Sequence, residues 1–486
     1  MRALSIALVA LASLFFMATG IAYARRRVRT VEDFISARSS TGVLVTSATL
    51  VATVMGAWVL ASPAEIGASG GLIALIGYGV GSAAPILVFM GVGQRMRALM
   101  PEGHSLTEYV WHRYGGGMYW FTLAVIVFYM FIFLAAELTA ISLAVNLVAG
   151  IPYVITAAIV GIATLLYTAH GGLRAVIFTD TIQFIFILPL LVLVLVAVMT
   201  ALGGVGAVVE QVRVTAPELL DLGYRPGVEL AIVLTIAILA ANLFHQGYWQ
   251  RVWTASDARV LRRAFGLSAL TVIPIVFLTG LFGMIAKGAG IVEHPSGALF
   301  ELVNTLSPWA VWAVLLLAIA LVMSSVDSLL NGLVSAFTSD LWRMRPRIPP
   351  ARLLWWARLL TVAVALPAVA IAFWSPSVLY LFFIADLVSA AAVFPVFYGL
   401  YVRRYNGAMA MVSALVGLVV GALFFPLPDF SRGVLFLQPS LLYSFLGALL
   451  AAALVAVVLN VVASFLHAGR EYDLGQLKEL VHTIQD

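Results

Sequence analysis

The chain contains no cysteine. Disulfides, thiol nucleophiles and cysteine-ligated metals are therefore excluded. Charge is also scarce: Asp, Glu, Lys and Arg make up 10% of 486 residues, where a soluble domain carries about 25%. Long polar stretches are missing too, so there is no room for an extramembrane domain. The net charge of +5 accordingly finds no polar face on which to cluster, which excludes a nucleic-acid partner. Nor is there an HExxH, a Ser/His/Asp arrangement with an obvious base, or a nucleotide loop. The run Gly203-Gly204 to Gly206 lacks a strand–loop–helix context. The chain thus reads as a non-enzyme without ATP-driven chemistry. What it has in abundance is apolar surface: 63% hydrophobic residues and a mean hydropathy of +1.07. No soluble fold of this length buries so much, so a bilayer must solvate most of it.

About thirteen apolar segments reach the ~20 residues that span a bilayer. They lie near 3–24, 42–69, 71–98, 118–149, 151–170, 177–201, 228–253, 263–290, 308–341, 352–374, 377–402, 407–428 and 438–466. The first, ending Ala22-Tyr23-Ala24, has features of a cleavable signal. The Arg25, Arg26, Arg27 and Arg29 cluster that follows resists translocation and favours a retained helix. With the N-terminus outside, most of the 27 basic residues fall on inner loops, as the positive-inside rule requires. These include Arg95 and Arg97, Arg251, Arg259, Arg262 and Arg263, Arg343, Arg345 and Arg347, and Arg470. Gly469 to Asp486 is predicted to form a short amphipathic helix in a cytoplasmic tail.

Ionisable groups at membrane depth are costly and mark function. Here they are Glu65, Glu137, Asp180, Asp327 and Asp386, with His245. No lysine or arginine is expected deep in a span, so a cavity lined by these carboxylates favours cations.

The stretch Met323-Ser324-Ser325-Val326-Asp327-Ser328 places three hydroxyls and a carboxylate within two helical turns. Ser324 and Ser328 share a face, as do Ser325 and Ser328. Hard cations take oxygen ligands, and hydroxyls of one helix can combine with carbonyls freed where another is broken. Serine pairs also serve close helix packing. Two spans carry breaking signals. The second holds Ala52-Thr53-Val54-Met55-Gly56-Ala57-Trp58 and then Ser62-Pro63; the seventh holds Asn242 to Arg251 around Gly247. Each would open a five-helix unit, the arrangement of inverted repeats with a site at the midplane. Solute candidates sit where the two breaks would meet: Trp58, Asn242, His245 and Gln246, then Glu137, Tyr248 and Asp386. In a continuous helix Asn242 and Gln246 share a face. A zwitterion, an amide or a polyol fits such a site better than an anion.

Four stretches, in order over roughly residues 30–430, resemble the sodium/solute symporter family of proline, pantothenate, urea and sugar carriers. They are Glu32-Asp33-Phe34-Ile35-Ser36-Ala37-Arg38-Ser39; Gly171-Gly172-Leu173-Arg174-Ala175-Val176 with Thr179-Asp180-Thr181-Ile182-Gln183; Gln250-Arg251 with Ala255-Ser256-Asp257; and Ser324 to Ser328. The resemblance implies an all-α membrane fold with a LeuT-like 5+5 inverted-repeat core. The core would occupy 42–402, with repeats about 42–201 and 228–402. Residues 1–41 would form an N-terminal extra helix and basic loop, and 403–486 two further helices and a tail. It implies sodium as the coupling ion, held by the Ser324 and Ser325 hydroxyls and the carbonyls of Ala52, Met55 and Leu321. A second cation would fall on Asp180, Asp327 and Ser328, although Asp327 stands where several relatives have a small hydroxyl residue. Val54 stands where some proline carriers have an acid. The implied activity is sodium-coupled import, by alternating access, of an amino acid such as proline or a comparable zwitterionic or neutral metabolite. A proton-coupled carrier of the same fold, or a channel or sensory receptor module, are the alternatives. The expected setting is a bacterial or archaeal plasma membrane, with the solute and the bilayer as partners and no required protein partner.

Overall fold

Inside a bilayer every backbone amide and carbonyl must find a partner within the protein, which leaves helices or closed barrels. The chain takes the helical solution. A computed structural model describes residues 2–291, 295–304, 306, 308–345, 348–372, 378–428, 431–434, 437–466 and 471–484. Arg347, Gly469, Arg470, Gln485, Asp486 and the ends of the spans expected near 352–374 and 377–402 lie outside them.

The helices are α1 (Arg2–Arg27), α2 (Val31–Ile35), α3 (Val43–Val54), α4 (Ser62–Leu99), α5 (Leu106–Tyr114), α6 (Gly116–Ala149), α7 (Tyr153–Ala201), α8 (Val205–Thr215) and α9 (Arg225–Asn242). There follow α10 (Gln246–Thr254), α11 (Ala258–Gly288), α12 (Ala298–Asn304), α13 (Pro308–Met344), α14 (Pro350–Ala372), α15 (Val378–Tyr398), α16 (Gly407–Leu423), α17 (Leu441–Phe465) and α18 (Leu477–Leu480). Among the described residues ten helices are long and apolar enough to cross a membrane, and α3 and α16 are shorter apolar helices. The long α4 and α7 each contain one residue with positive φ, Gly71 at 65° and Gly172 at 52°. Both fall at boundaries where the sequence separates two spans. A side chain there would be strained and would also strike the Leu219 backbone or Phe34. The expected tail helix is much shorter than its sequence suggests: one turn precedes α18, and Thr483 and Ile484 then donate their amides to Glu102 and Glu32. Those carboxylate contacts replace further helical hydrogen bonds.

At the centre runs α13, packed against α3, α6, α7, α10 and α14 and buried continuously from Leu317 to Ala336. The extensive α4–α11 contact is built on small residues. Gly67 meets the Gly280 carbonyl and Gly283 meets that of Ala64, with no space for a methyl group. Without a hydrophobic drive between helices in lipid, this approach is what packing can supply. Gly283→Val should therefore cost about 2 kcal/mol by overpacking. The check is thermal unfolding in detergent, with Gly266→Ala as a comparison, since its nearest neighbouring atom is 3.9 Å away.

Outside the spans, a polar cluster joins α2 to α5. His104 Nε2 lies 2.5 Å from Glu32 Oε1, and Nδ1 lies 3.1 Å from Glu108 Oε1. Burial alone would lower the imidazole pKa, but the Glu108 and Glu32 carboxylates outweigh it and raise the value to about 9. A raised histidine stabilises fully below its ordinary pKa of about 6.5 and loses that contribution as pH rises through the folded value. Stability should thus fall between roughly pH 7 and pH 9.5, and His104→Gln should flatten that decline in a melting series across pH.

Candidate functional site

The site starts where α3 stops. Its ladder ends with the Met55 N–H donating to Val51 O at 2.8 Å, and Gly56 is extended at φ −99°, ψ −171°. The amides that would continue the helix go elsewhere. Ala57 donates to Glu137 Oε2 of α6 at 2.7 Å, and Val59 donates to Gly56 O rather than to Met55 O. The Trp58 indole takes the Val54 carbonyl at 3.0 Å. A Cβ on Gly56 would run into the Glu137 carboxyl. Glu137 is thus the cap that holds the break open, and it frees the carbonyls of Ala52 and Met55 from the helix.

Facing this break, α13 brings its hydroxyls. Ser324 and Ser325 are fully buried and both donate to Leu321 O, at 2.9 and 3.0 Å. One turn on, Ser328 Oγ lies 3.0 Å from Thr53 Oγ1, which ties α13 directly to the interrupted helix. Buried hydroxyl and carbonyl oxygens are the donor set of a hard monovalent cation, and these residues fit sodium. No group of three or more His, Asp or Glu side chains suited to a transition metal occurs among the described residues.

Beside the serines, an arginine that the sequence assigns to an inner loop lies inside the helix bundle. Arg251 on α10 is fully buried. Its Nη2 donates to Asp180 Oδ2 at 2.8 Å, Thr49 Oγ1 at 2.9 Å and Ser328 Oγ at 3.0 Å. The charge beside Asp180 is therefore a guanidinium, placed where the family pattern puts a second cation. Asp327 is bonded by Tyr167 Oη at 2.5 Å and Thr179 Oγ1 at 3.3 Å, while its Oδ1 and that of Asp180 have no partner. With both carboxylates ionised, one guanidinium leaves the cluster one negative charge in excess.

The second break separates α9 from α10 at Leu243 to His245, so Asn242 and Gln246 do not share a face. His245 ends the gap: its Nδ1 accepts the Gly247 N–H and caps α10. Gly247 serves both the break and the crossing, because a Cβ there would strike the capping His245 ring first and then press on Thr53 of α3. Gln246 turns away and donates to His104 O at 2.7 Å.

Between the two breaks lies a small cavity of about 40 Å³, walled by α4, α6, α9, α15 and the turn at Trp58. Of the sequence candidates, Trp58, Asn242 and Asp386 line it. Glu137, His245, Gln246 and Tyr248 do not: His245 packs edge-on behind Phe133 and Tyr129, and Tyr248 stacks on Phe89. Residues that sequence reasoning passed over supply much of the wall: Tyr78 and Ser82, Tyr129 and Phe133, and Phe382. A signal was available. Tyr129 and Phe133 precede Glu137 by eight and four residues, and Phe382 precedes Asp386 by four, so each carboxylate marks its helix face.

Comparison with known proteins adds the following. The family model described as the sodium:solute symporter family matches residues 34–417. The spermidine transporter DUR31 of Candida albicans is 29% identical over 85% of this chain and 79% of its own length. The high-affinity proline transporter PutP of Bacillus subtilis is 26% identical over 82% of this chain and 87% of its own. A solved structure of a Na+-coupled sialic acid symporter superimposes with a TM-score of 0.77 at 19% identity, over 96% of this chain and 98% of that one.

Proposed function

The chain belongs to the sodium:solute symporter family, and we propose that it couples the inward movement of sodium to uptake of a small polar organic solute. Its fold is that of the LeuT-type transporters, all-helical and integral to the membrane. The observation that carries the reading is the juxtaposition of the α13 hydroxyls with the break in α3, bridged by Ser328 and Thr53. Sodium would be held by the Ser324 and Ser325 hydroxyls and the carbonyls of Ala52, Met55 and Leu321. The solute would bind in the neighbouring cavity against Trp58, Asn242 and Asp386.

The physics of coupling supports this arrangement. A monovalent cation descending about 100 mV gains ~2.3 kcal/mol before any concentration gradient is counted. That energy reaches the solute only if ion and solute bind one conformation better together than apart. Trp58 follows Met55 by three residues, so ligation at the Met55 carbonyl sets the position of a cavity wall. In this reading the repeats are 42–201 and 228–402, framed by 1–41 and 403–486. The Asp180, Asp327 and Ser328 cluster receives its standing positive charge from Arg251. Its excess negative charge is balanced during transport by a second sodium ion or a proton.

That excess charge is also the observation that favours proton coupling as a second reading. Melting of the purified protein in NaCl against KCl, at equal ionic strength and fixed pH, separates the two. A saturable rise in Tm specific to sodium is expected; equal curves in the two salts would remove sodium from the mechanism.

A further inference from the structure

We infer that the solute presents an ammonium group to Asp386 and carries no carboxylate of its own, an inference that rests on the symport reading and narrows its substrate to an organic cation. The first ground is charge. Asp386 is the carboxylate on the cavity wall, and among the described residues no lysine, arginine or histidine lines it. Arg251, the buried cation nearby in the core, is committed to Asp180. Asp386 is 5% exposed, and its Oδ1 has no hydrogen-bond partner. A buried carboxylate with an empty oxygen is costly unless a cation or a donor completes it. A solute ammonium would supply both.

The second ground is the surface around that oxygen. Trp58 spends its indole N–H on Val54 O, so it offers the cavity its π surface. It stacks near Tyr78 at 5.7 Å and meets Phe382 edge-on at 6.1 Å, and Phe382 in turn meets Phe133 at 5.0 Å. Aromatic walls around one carboxylate suit an ammonium with an apolar flank, through cation–π attraction and desolvation together.

The third ground is what a solute carboxylate would lack. One of the amides released at the α3 break, that of Ala57, is already taken by Glu137. Asn242 Nδ2 donates to Ile238 O at 2.9 Å, and its Oδ1 accepts from Tyr129. A zwitterion would therefore set its carboxylate in the same small cavity as the Asp386 carboxylate, with the Ser82 hydroxyl as its donor and no cationic side chain among the described lining residues. Ser82 Oγ, buried and without a partner, remains for a hydroxyl or a second amine on the solute tail.

The test is thermal stabilisation of the purified full chain by choline, putrescine, proline and myo-inositol, each in NaCl and in KCl. Choline or putrescine should raise Tm saturably, and more strongly in NaCl. Asp386→Asn should weaken that amine at least tenfold, with its own sodium response reporting that it is folded. Phe133→Leu, which keeps the charge and removes a ring, should weaken choline in the same direction if Asp386→Asn does not fold. Stabilisation by proline or myo-inositol equal to that by the amines, no response to either amine up to about 10 mM, or undiminished amine binding in Asp386→Asn and Phe133→Leu would each overturn the inference. A protein that responds to amines equally in both salts would keep the amine preference and lose the symport reading instead.

Discussion

Replacing Ser324 and Ser325 together by alanine should raise the sodium concentration for half-maximal stabilisation by about a hundredfold while leaving the fold nearly intact. Each hydroxyl that coordinates a cation is worth about 1.5 kcal/mol, a tenfold change in affinity apiece. The folding cost is small because both hydroxyls donate back to Leu321 O of their own helix, a local contact that adds little to helix stability. The measurement is Tm against sodium concentration for wild type, the two single variants and the double variant. An unchanged midpoint in the double variant would move the ion away from these serines.

The second large effect is expected at Arg251. Arg251→Met leaves Asp180 and Asp327 buried without a counter-charge, which should cost about 3–5 kcal/mol. Asp180→Asn in the same chain should return part of that loss, because it removes one of the two stranded charges, the direct partner of Arg251. A double-mutant cycle on the unfolding of the four proteins reads the coupling directly. Arg251→Lys should rescue poorly, since the guanidinium spreads its contacts over three nitrogens, Nη2 to Asp180 at 2.8 Å, Nε to Thr49 at 3.3 Å and Nη1 to Gly247 O at 3.4 Å, a fork that the single ammonium nitrogen of lysine does not reproduce. Additive losses would show that the two side chains are not energetically coupled in the folded protein. The cluster links α3, α7, α10 and α13, so its integrity bears on transport as well as on folding. Asp180→Asn alone should keep a folded protein with impaired coupling.

Signals confined to one helix could be read in advance. Gly71 and Gly172 interrupt long apolar runs where spans were divided, and Met55-Gly56 marked the broken helix. The serine ladder of α13 stood out because three hydroxyls and a carboxylate are conspicuous in so apolar a segment. The tail helix, by contrast, was overestimated, because its amides are claimed by Glu32 and Glu102 far away in the chain.

Within the candidate site the same division applies. Composition demanded a bilayer, and the spacing of breaks and hydroxyls is the basis for proposing an ion site between two spans, because these depend on residues a few positions apart. Which carboxylate faces a cavity depends on contacts across the chain. Glu137 became the cap of the α3 break through an amide 80 residues away in sequence. Asp180 met Arg251 across 71 residues, and Gln246 turned to His104 across 142. Helical periodicity lasts a few turns, whereas the cost of burying an unpaired charge is settled by whatever the fold brings alongside it. Sequence alone thus determined the membrane class, the interrupted helices and the hydroxyl ladder. Only the tertiary structure decided that Arg251 is buried against Asp180 and that Asp386 is the charged side chain among the described residues of the cavity wall.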